Sequence, residues 1–144
     1  MRLRILIVED DALIATSLED ILVRAGHEVV GTAIHMHGAL RAADGAYADV
    51  AIMDVDLAAG TNGVETAKLL RERHDVPSLF VSARADDELR AMASEWRPVG
   101  FVGKPFGDAQ ILGALERMCE ARATRQFRES SSSPRSSKST PSGS

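Results

Sequence analysis

The side chains that could do chemistry together are Glu9 and Asp10, Asp54 with Asp56 two residues on, the hydroxyl of Ser82, and the ammonium of Lys104. Each group follows directly on a short apolar run. Three carboxylates within a few ångström of one another repel by about 4 kcal/mol per pair at ~4 Å and an effective dielectric near 20. Such a set either holds protons or gathers round a cation. Hard carboxylate oxygens select Mg²⁺ or Mn²⁺, and Mg²⁺ is held by one or two carboxylates together with waters and phosphate oxygens. A hydroxyl and an ammonium facing the cation would complete a cage for a trigonal PO₃ group. A central carboxylate could then attack phosphorus and form an aspartyl phosphate. Taken singly, each residue is an ordinary polar loop residue; only their convergence makes them a site.

Convergence requires that the preceding runs be strands of one sheet. The runs are Ile5 to Val8, Glu28 to Val30, Val50 to Met53, Leu79 to Val81 and Val99 to Val102. They are apolar at successive positions, as in strands buried on both faces of a parallel sheet. Helical patterns lie between them. Ile14, Leu18, Ile21, Leu22 and Ala25 form one stripe, with Gly26 as a stop signal. A weaker pattern spans about 36–45, and Val64, Ala67 and Leu70 mark a third. Leu89, Met92, Ala93 and Trp96 mark a fourth, ended by Pro98, and Ile111, Leu112, Leu115, Met118 and Cys119 mark a fifth. Alternating strands and helices predict an α/β doubly wound sheet with right-handed crossovers. Ligands of such sheets sit at the carboxyl ends of the strands, where these polar residues fall.

Composition sets limits on the rest. The chain has 144 residues, 26% of them charged, and its net charge of −4 conceals a division. Residues 1–122 carry a net −7, whereas 123–144 carry +3. An acidic globule argues against a nucleic-acid surface, which needs clustered Lys and Arg. From Ser130 to Ser144, nine of fifteen residues are Ser. That segment cannot bury enough surface to offset its ordering entropy. The expectation is a folded domain over 1–123 and a disordered, Ser-rich basic tail over 124–144. A single cysteine, Cys119, excludes a disulfide framework and points to a buried thiol. No apolar run approaches the ~20 residues of a membrane span, and the start is too short for a signal peptide. A cytoplasmic location is expected.

The order Glu9-Asp10, Asp54, Ser82, Lys104-Pro105 resembles the receiver domain of bacterial two-component response regulators. The resemblance covers nearly all of residues 3–122, including ILIVEDD, the run into Asp54, VSA, and GFVGKPF. It implies a flavodoxin-like (βα)5 fold with strand order 2-1-3-4-5, apparently as a single domain. It also implies roles. Asp54 matches the phosphoacceptor, Asp10 the direct metal-binding acid, and Glu9 its neighbour acting through water. The backbone carbonyl of Asp56 matches the completion of the metal shell. Ser82 matches the switch hydroxyl, Phe101 the rotating aromatic, and Lys104 the phosphate-pairing cation. A cis peptide before Pro105 is a further implication, where a trans bond is the default from sequence alone.

Plainer readings attach to several residues. Asp11 reads as a helix N-terminal acid, and His27 and His74 as charges suited to helix C-terminal ends. His35 and His37 lack a third ligand nearby and read as exposed histidines. Phe101, lacking the hydroxyl of the commoner Tyr, reads as a half-buried packing ring. Trp96 reads as packing where relatives have a small turn, which leaves partner identity open. Two modulators are expected beside the site. Arg84 with the Asp56 side chain would shield an Asp54 phosphate from water, and Ala83 would leave access for small donors such as acetyl phosphate.

The resemblance implies a phosphorylation-controlled regulator with Mg²⁺ or Mn²⁺ as cofactor and no enzyme activity beyond self-phosphotransfer and autodephosphorylation. A histidine kinase or histidine phosphotransfer protein would donate to Asp54. A protein target would read the face made by the fourth helix, fifth strand and fifth helix, with the chain a monomer or a phosphorylation-dependent dimer. Neither nucleic acid nor membrane is an expected partner. Two alternatives stand beside it. One is a pseudo-receiver that binds partners without seeing phosphate. The other is an aspartyl-phosphate phosphatase built on Asp54-Val55-Asp56, which needs acids on a further strand after Lys104 and a substrate cap.

Overall fold

Period-two side-chain alternation lets each of the central strands feed two cores at once, and this decides the architecture. The computed structural model describes residues 2–55, 62–83 and 95–138. Its strands are β1 (Arg4–Val8), β2 (Glu28–Ala33), β3 (Val50–Asp54), β4 (Ser78–Ser82) and β5 (Gly100–Gly103). All pair in parallel in the order β2-β1-β3-β4-β5, the flavodoxin-like order expected from the resemblance. Helices α1 (Ala12–Arg24), α2 (Met36–Gly45), α3 (Gly63–His74) and α4 (Asp108–Lys138) complete the described elements. Of the fourth helical pattern of the sequence, Leu89, Met92 and Ala93 lie outside the described residues, and Trp96 falls in a turn.

Leu6, Val8, Ala51, Met53 and Phe80 point to one side, where Ala39 of α2 and Val64, Ala67 and Leu70 of α3 cover them. Their neighbours Ile5, Ile7, Val50, Ile52, Leu79 and Val81 point to the other, beneath Leu18 and Leu22 of α1 and Ile111, Leu115 and Met118 of α4. Strands buried on both faces cannot carry polar residues until they leave the sheet. The first polar positions are therefore pushed to the strand ends.

Local chemistry sets the helix boundaries. Asp11 caps α1, its carboxylate accepting from the backbone N–H groups of Leu13 and Ile14; such a cap satisfies donors the helix cannot. Gly26, at φ 93°, then turns the chain out of α1. His35 is half-buried rather than exposed: its Nδ1 accepts from Gly38 N–H at 3.0 Å and caps α2. Asn62 does the same for α3 through Glu65 N–H at 2.7 Å.

The last helix departs from expectation. It runs on to Lys138, so the stretch 124–138 is helical where composition predicts disorder. Composition reports what a segment can bury, whereas an existing helix extends on local propensity alone. Ala, Arg, Gln and Glu supply that propensity as far as Arg128.

Candidate functional site

Register brings the strand-end residues together. Val8 pairs with Met53, so Glu9 and Asp54 emerge side by side from β1 and β3. Asp54 pairs with Val81 and Ser82 with Gly103, which places Ser82 next to Asp54 and Lys104 next to Ser82. Backbone bonds hold these exits in place. Glu9 N–H donates to Ala33 O at 2.9 Å, and Lys104 N–H donates to Ser82 O at 2.9 Å.

The site is a buried acid pair with one cation across it. Glu9, Asp54 and Ser82 are each under 7% exposed, at 3%, 5% and 6%. Lys104 Nζ lies 3.0 Å from Glu9 Oε1 and 3.3 Å from Asp54 Oδ1. Burial alone pushes the Lys104 ammonium towards neutrality; hydrogen bonding and the charges of Glu9 and Asp54 outweigh it, and its pKa is raised. The other oxygen of Glu9 accepts from Asp11 N–H at 3.1 Å, so its carboxylate is held at both ends.

Asp10 is exposed at the mouth, and one oxygen from each of Glu9, Asp10 and Asp54 falls within a 4.8 Å cluster. Among the described residues, the Lys104 ammonium faces these three acids. Hard carboxylate oxygens fit Mg²⁺ or Mn²⁺, so the residues present match the cation that the sequence implies.

Among the remaining expected residues, Ala83 is exposed beside Ser82, and Pro105 follows a cis peptide bond from Lys104. Phe101 is half-buried and stacks on Phe80, with ring centroids 5.5 Å apart and planes 17° from parallel. Asp56 and Arg84 lie outside the described residues, and with them the shell-completing carbonyl and the shielding pair.

His27 corrects an expectation. Its Nδ1 accepts from Leu3 N–H at 3.0 Å, and burial lowers its pKa, so it serves as a neutral acceptor and not as a helix-end charge. Cys119 is half-buried against the core beneath α4, and Trp96 is half-buried with Lys68 Nζ 5.5 Å from its ring centroid.

Gly63 is a site residue that sequence reasoning misses. Its N–H donates to Val55 O at 2.7 Å, and a Cβ there would stand 2.1 Å from Asp54 O. The start of α3 thus closes directly on the backbone of Asp54. A glycine just after an Asn at a helix start was the signal available, but nothing local tells it from an ordinary turn glycine.

Comparison with known proteins agrees with this geometry. A model of the response regulator receiver domain matches residues 5–116. The phyllosphere-induced regulator PhyR of Methylorubrum extorquens is 30% identical over 118 residues, covering 81% of this chain and 43% of that protein. The transcriptional regulatory protein PdtaR of Mycobacterium tuberculosis is 29% identical over 126 residues, covering 88% and 58%. The chain thus spans about half the length of the curated relatives it matches. Among solved structures, the signal receiver domain of a modulated diguanylate cyclase from Desulfovibrio desulfuricans superposes with a TM-score of 0.79 at 28% identity, over 87% of this chain and 99% of that one. Chemotaxis protein CheY4 of Vibrio cholerae gives 0.75 at 28% identity, over 81% and 98%.

Proposed function

The chain belongs to the response regulator receiver domain family, and from that premise we propose that Asp54 accepts a phosphoryl group from a histidine kinase or histidine phosphotransfer protein. The observation that carries the reading is Lys104 Nζ, 3.3 Å from Asp54 Oδ1 and 3.0 Å from Glu9 Oε1, on a strand end beside Ser82. An Asp54 oxygen forms the bond to phosphorus as the bond to the donor's imidazole nitrogen breaks, and the electron pair stays on that nitrogen. Lys104 pairs with Asp54 before transfer, and afterwards faces the phosphoryl oxygens. The Ser82 hydroxyl donates to the new group from the neighbouring strand. Glu9, Asp10 and Asp54 would hold a divalent cation, with the Asp56 carbonyl as the expected fourth contributor. Bound there, Mg²⁺ or Mn²⁺ neutralises charge on the phosphoryl oxygens.

The output is a two-state shift that a protein partner reads. Ser82 and Phe101 are the moving parts, on adjacent strands, and the surface lies towards β5 and α4 together with the 84–94 segment. Arg84 and Ala83 are proposed to set phosphate lifetime and donor access. The functional unit is proposed to end near residue 123, because Ala123 to Arg128 are all exposed and the helix leaves the domain surface there. No described helix is long and apolar enough to cross a membrane, and we place the chain in the cytoplasm, as a monomer or a phosphorylation-dependent dimer.

The test is intact mass after incubation with acetyl phosphate and Mg²⁺. Wild type should gain the mass of one PO₃ group, and Asp54→Ala should gain nothing. An unmodified wild type under these conditions and with a phosphohistidine donor would overturn the reading in favour of a pseudo-receiver.

A further inference from the structure

At the end of the sheet opposite Asp54, the segments entering β3, β4 and β5 border a cavity of about 390 Å³. Five arginines line it: Arg71 from α3, Arg97 from the turn before β5, and Arg117, Arg122 and Arg125 from α4, with the Arg117 guanidinium turned back towards Gly113. This is a dense positive cluster on a domain whose first 122 residues carry a net −7.

The fold explains some of these cations. Arg71 donates to the carbonyls of Trp96 and Arg97 at 3.2 and 2.8 Å and pairs with Asp75 at 3.1 Å. Arg122 lies 3.7 Å from Asp49. His74 Nε2 lies 2.9 Å from Asp44. Arg97, Arg117 and Arg125 are not explained: among the described residues, none of these three guanidinium groups has a carboxylate partner. The two acids lining the cavity are already engaged. Asp49 accepts from Arg4 N–H and the Tyr47 hydroxyl, and Asp75 serves Arg71. Like charges held round one concavity focus their potential on whatever anion enters it.

The rest of the lining narrows the ligand. Pro77, Val99 and Met118 give an apolar floor, and the Tyr47 ring lines the cavity while 65% exposed. A concavity near 400 Å³, with arginines on its walls and an apolar floor, has the size of a small-molecule site. Guanidinium forks bind phosphate bidentately, and an exposed aromatic ring offers a stacking face.

We propose that this cavity binds a phosphate-bearing small molecule with a planar body, of the nucleoside monophosphate class. Arg97 and Arg125 take the phosphate, and Tyr47 with the apolar floor takes the planar part. The site lies at the opposite end of the sheet from the phosphoacceptor, and the proposal does not rest on the phosphoacceptor reading.

Calorimetric titration of the full chain with AMP and GMP tests the proposal, with inorganic pyrophosphate, a hexaglutamate peptide and a short oligoribonucleotide as further probes. One mononucleotide should bind per chain, more tightly than pyrophosphate. Affinity should fall about tenfold in Arg97→Gln and again in Arg125→Gln, as expected for the loss of a charged hydrogen bond. Both side chains are exposed, so neither change threatens folding. Failure of either mononucleotide to bind, affinity unchanged in both variants, or pyrophosphate binding equally well would overturn it. Tighter binding of the peptide or oligonucleotide would overturn it too, by assigning the cavity to a macromolecule.

Discussion

Replacing Gly63 by alanine should damage both the fold and the phosphoryl chemistry, for one geometric reason. An ideal Cβ at position 63 meets Asp54 O at 2.1 Å, Val55 Cα at 2.8 Å and Asp54 C at 2.9 Å. All three are backbone atoms of Asp54 and the residue after it, so no flexible side chain can move aside. Carbon-to-oxygen contacts settle near ~3.3 Å, and either α3 or the end of β3 must therefore give way by about 1 Å. Overpacking of this kind costs roughly 1–3 kcal/mol, and a rigid backbone neighbour puts it at the upper end. Lower entropy of the unfolded alanine chain returns about 0.4–1 kcal/mol. A net loss of about 2 kcal/mol follows, which lowers the urea midpoint by about 1 M at an ordinary denaturant slope. Moving the acceptor by about 1 Å relative to Lys104 and Glu9 should slow phosphorylation by acetyl phosphate by about 10- to 100-fold. The two readouts are urea unfolding and intact-mass phosphorylation kinetics. A variant within about 0.5 kcal/mol of wild type and phosphorylated at the wild-type rate would refute the reasoning.

Three other perturbations report on the same groups. Saturating Mg²⁺ should stabilise the wild type, by about 2.7 kcal/mol at a hundred times its Kd, and Asp10→Ala should abolish most of that gain in a thermal scan; equal gains in both would remove Asp10 from the metal site. Lys104→Met leaves Glu9 and Asp54 facing each other without a cation and should cost about 3 kcal/mol in urea unfolding at pH 7. Because the folded pKa of Lys104 is raised, its contribution is complete below the ordinary lysine value and is lost only as pH rises through the higher folded one; a deficit already gone at pH 9 would contradict this. His27 has the opposite sense. Its folded pKa is lowered from 6.5, so the unfolded chain takes up the proton first and stability falls as pH drops below 6.5 towards the folded value. His27→Leu should be less stable than wild type at pH 8, from the unpaired Leu3 N–H, yet lose less on acidification to pH 5; parallel curves would exclude the neutral-acceptor role.

Strands β1, β3 and β4 were legible in the sequence because burial on both faces leaves an unbroken apolar run, and the polar residues at their ends were legible for the same reason. Convergence of those ends needed topology, and the family resemblance supplied the order that puts β1 beside β3. Side chains that act on distant backbone were hidden. His27 binds Leu3 N–H across 24 positions of sequence, and no local pattern separates that from a helix-end charge. Gly63 is required by the carbonyl of Asp54, nine residues earlier, and not by its own φ angle. The extent of α4 was hidden because burial and helicity are governed by different terms, and composition reports only the first. The Arg cluster was invisible for a related reason: Arg71, Arg97 and Arg117 are scattered along the chain, and the net charge of the domain has the opposite sign.

The parallel sheet itself separates the two charged ends. Every strand runs the same way, so residues following the strands meet at one edge and residues preceding them meet at the other. Glu9, Asp10 and Asp54 collect at the first and the arginines at the second. Helix α3 touches both. Its first residue closes on Asp54 O, leaving no room even for a methyl group, and about 12 Å further along Arg71 grips the carbonyls of Trp96 and Arg97. Spatial continuity alone is not coupling. Here, however, both joints are rigid: one is a backbone contact without slack, and the other is a planar guanidinium with two carbonyl partners that also holds Arg97 at φ 51°, a conformation costly for a residue with a Cβ. A displacement of the Asp54 backbone would therefore reach Arg97, and with it the shape of the basic cavity, without requiring any part of α3 to bend.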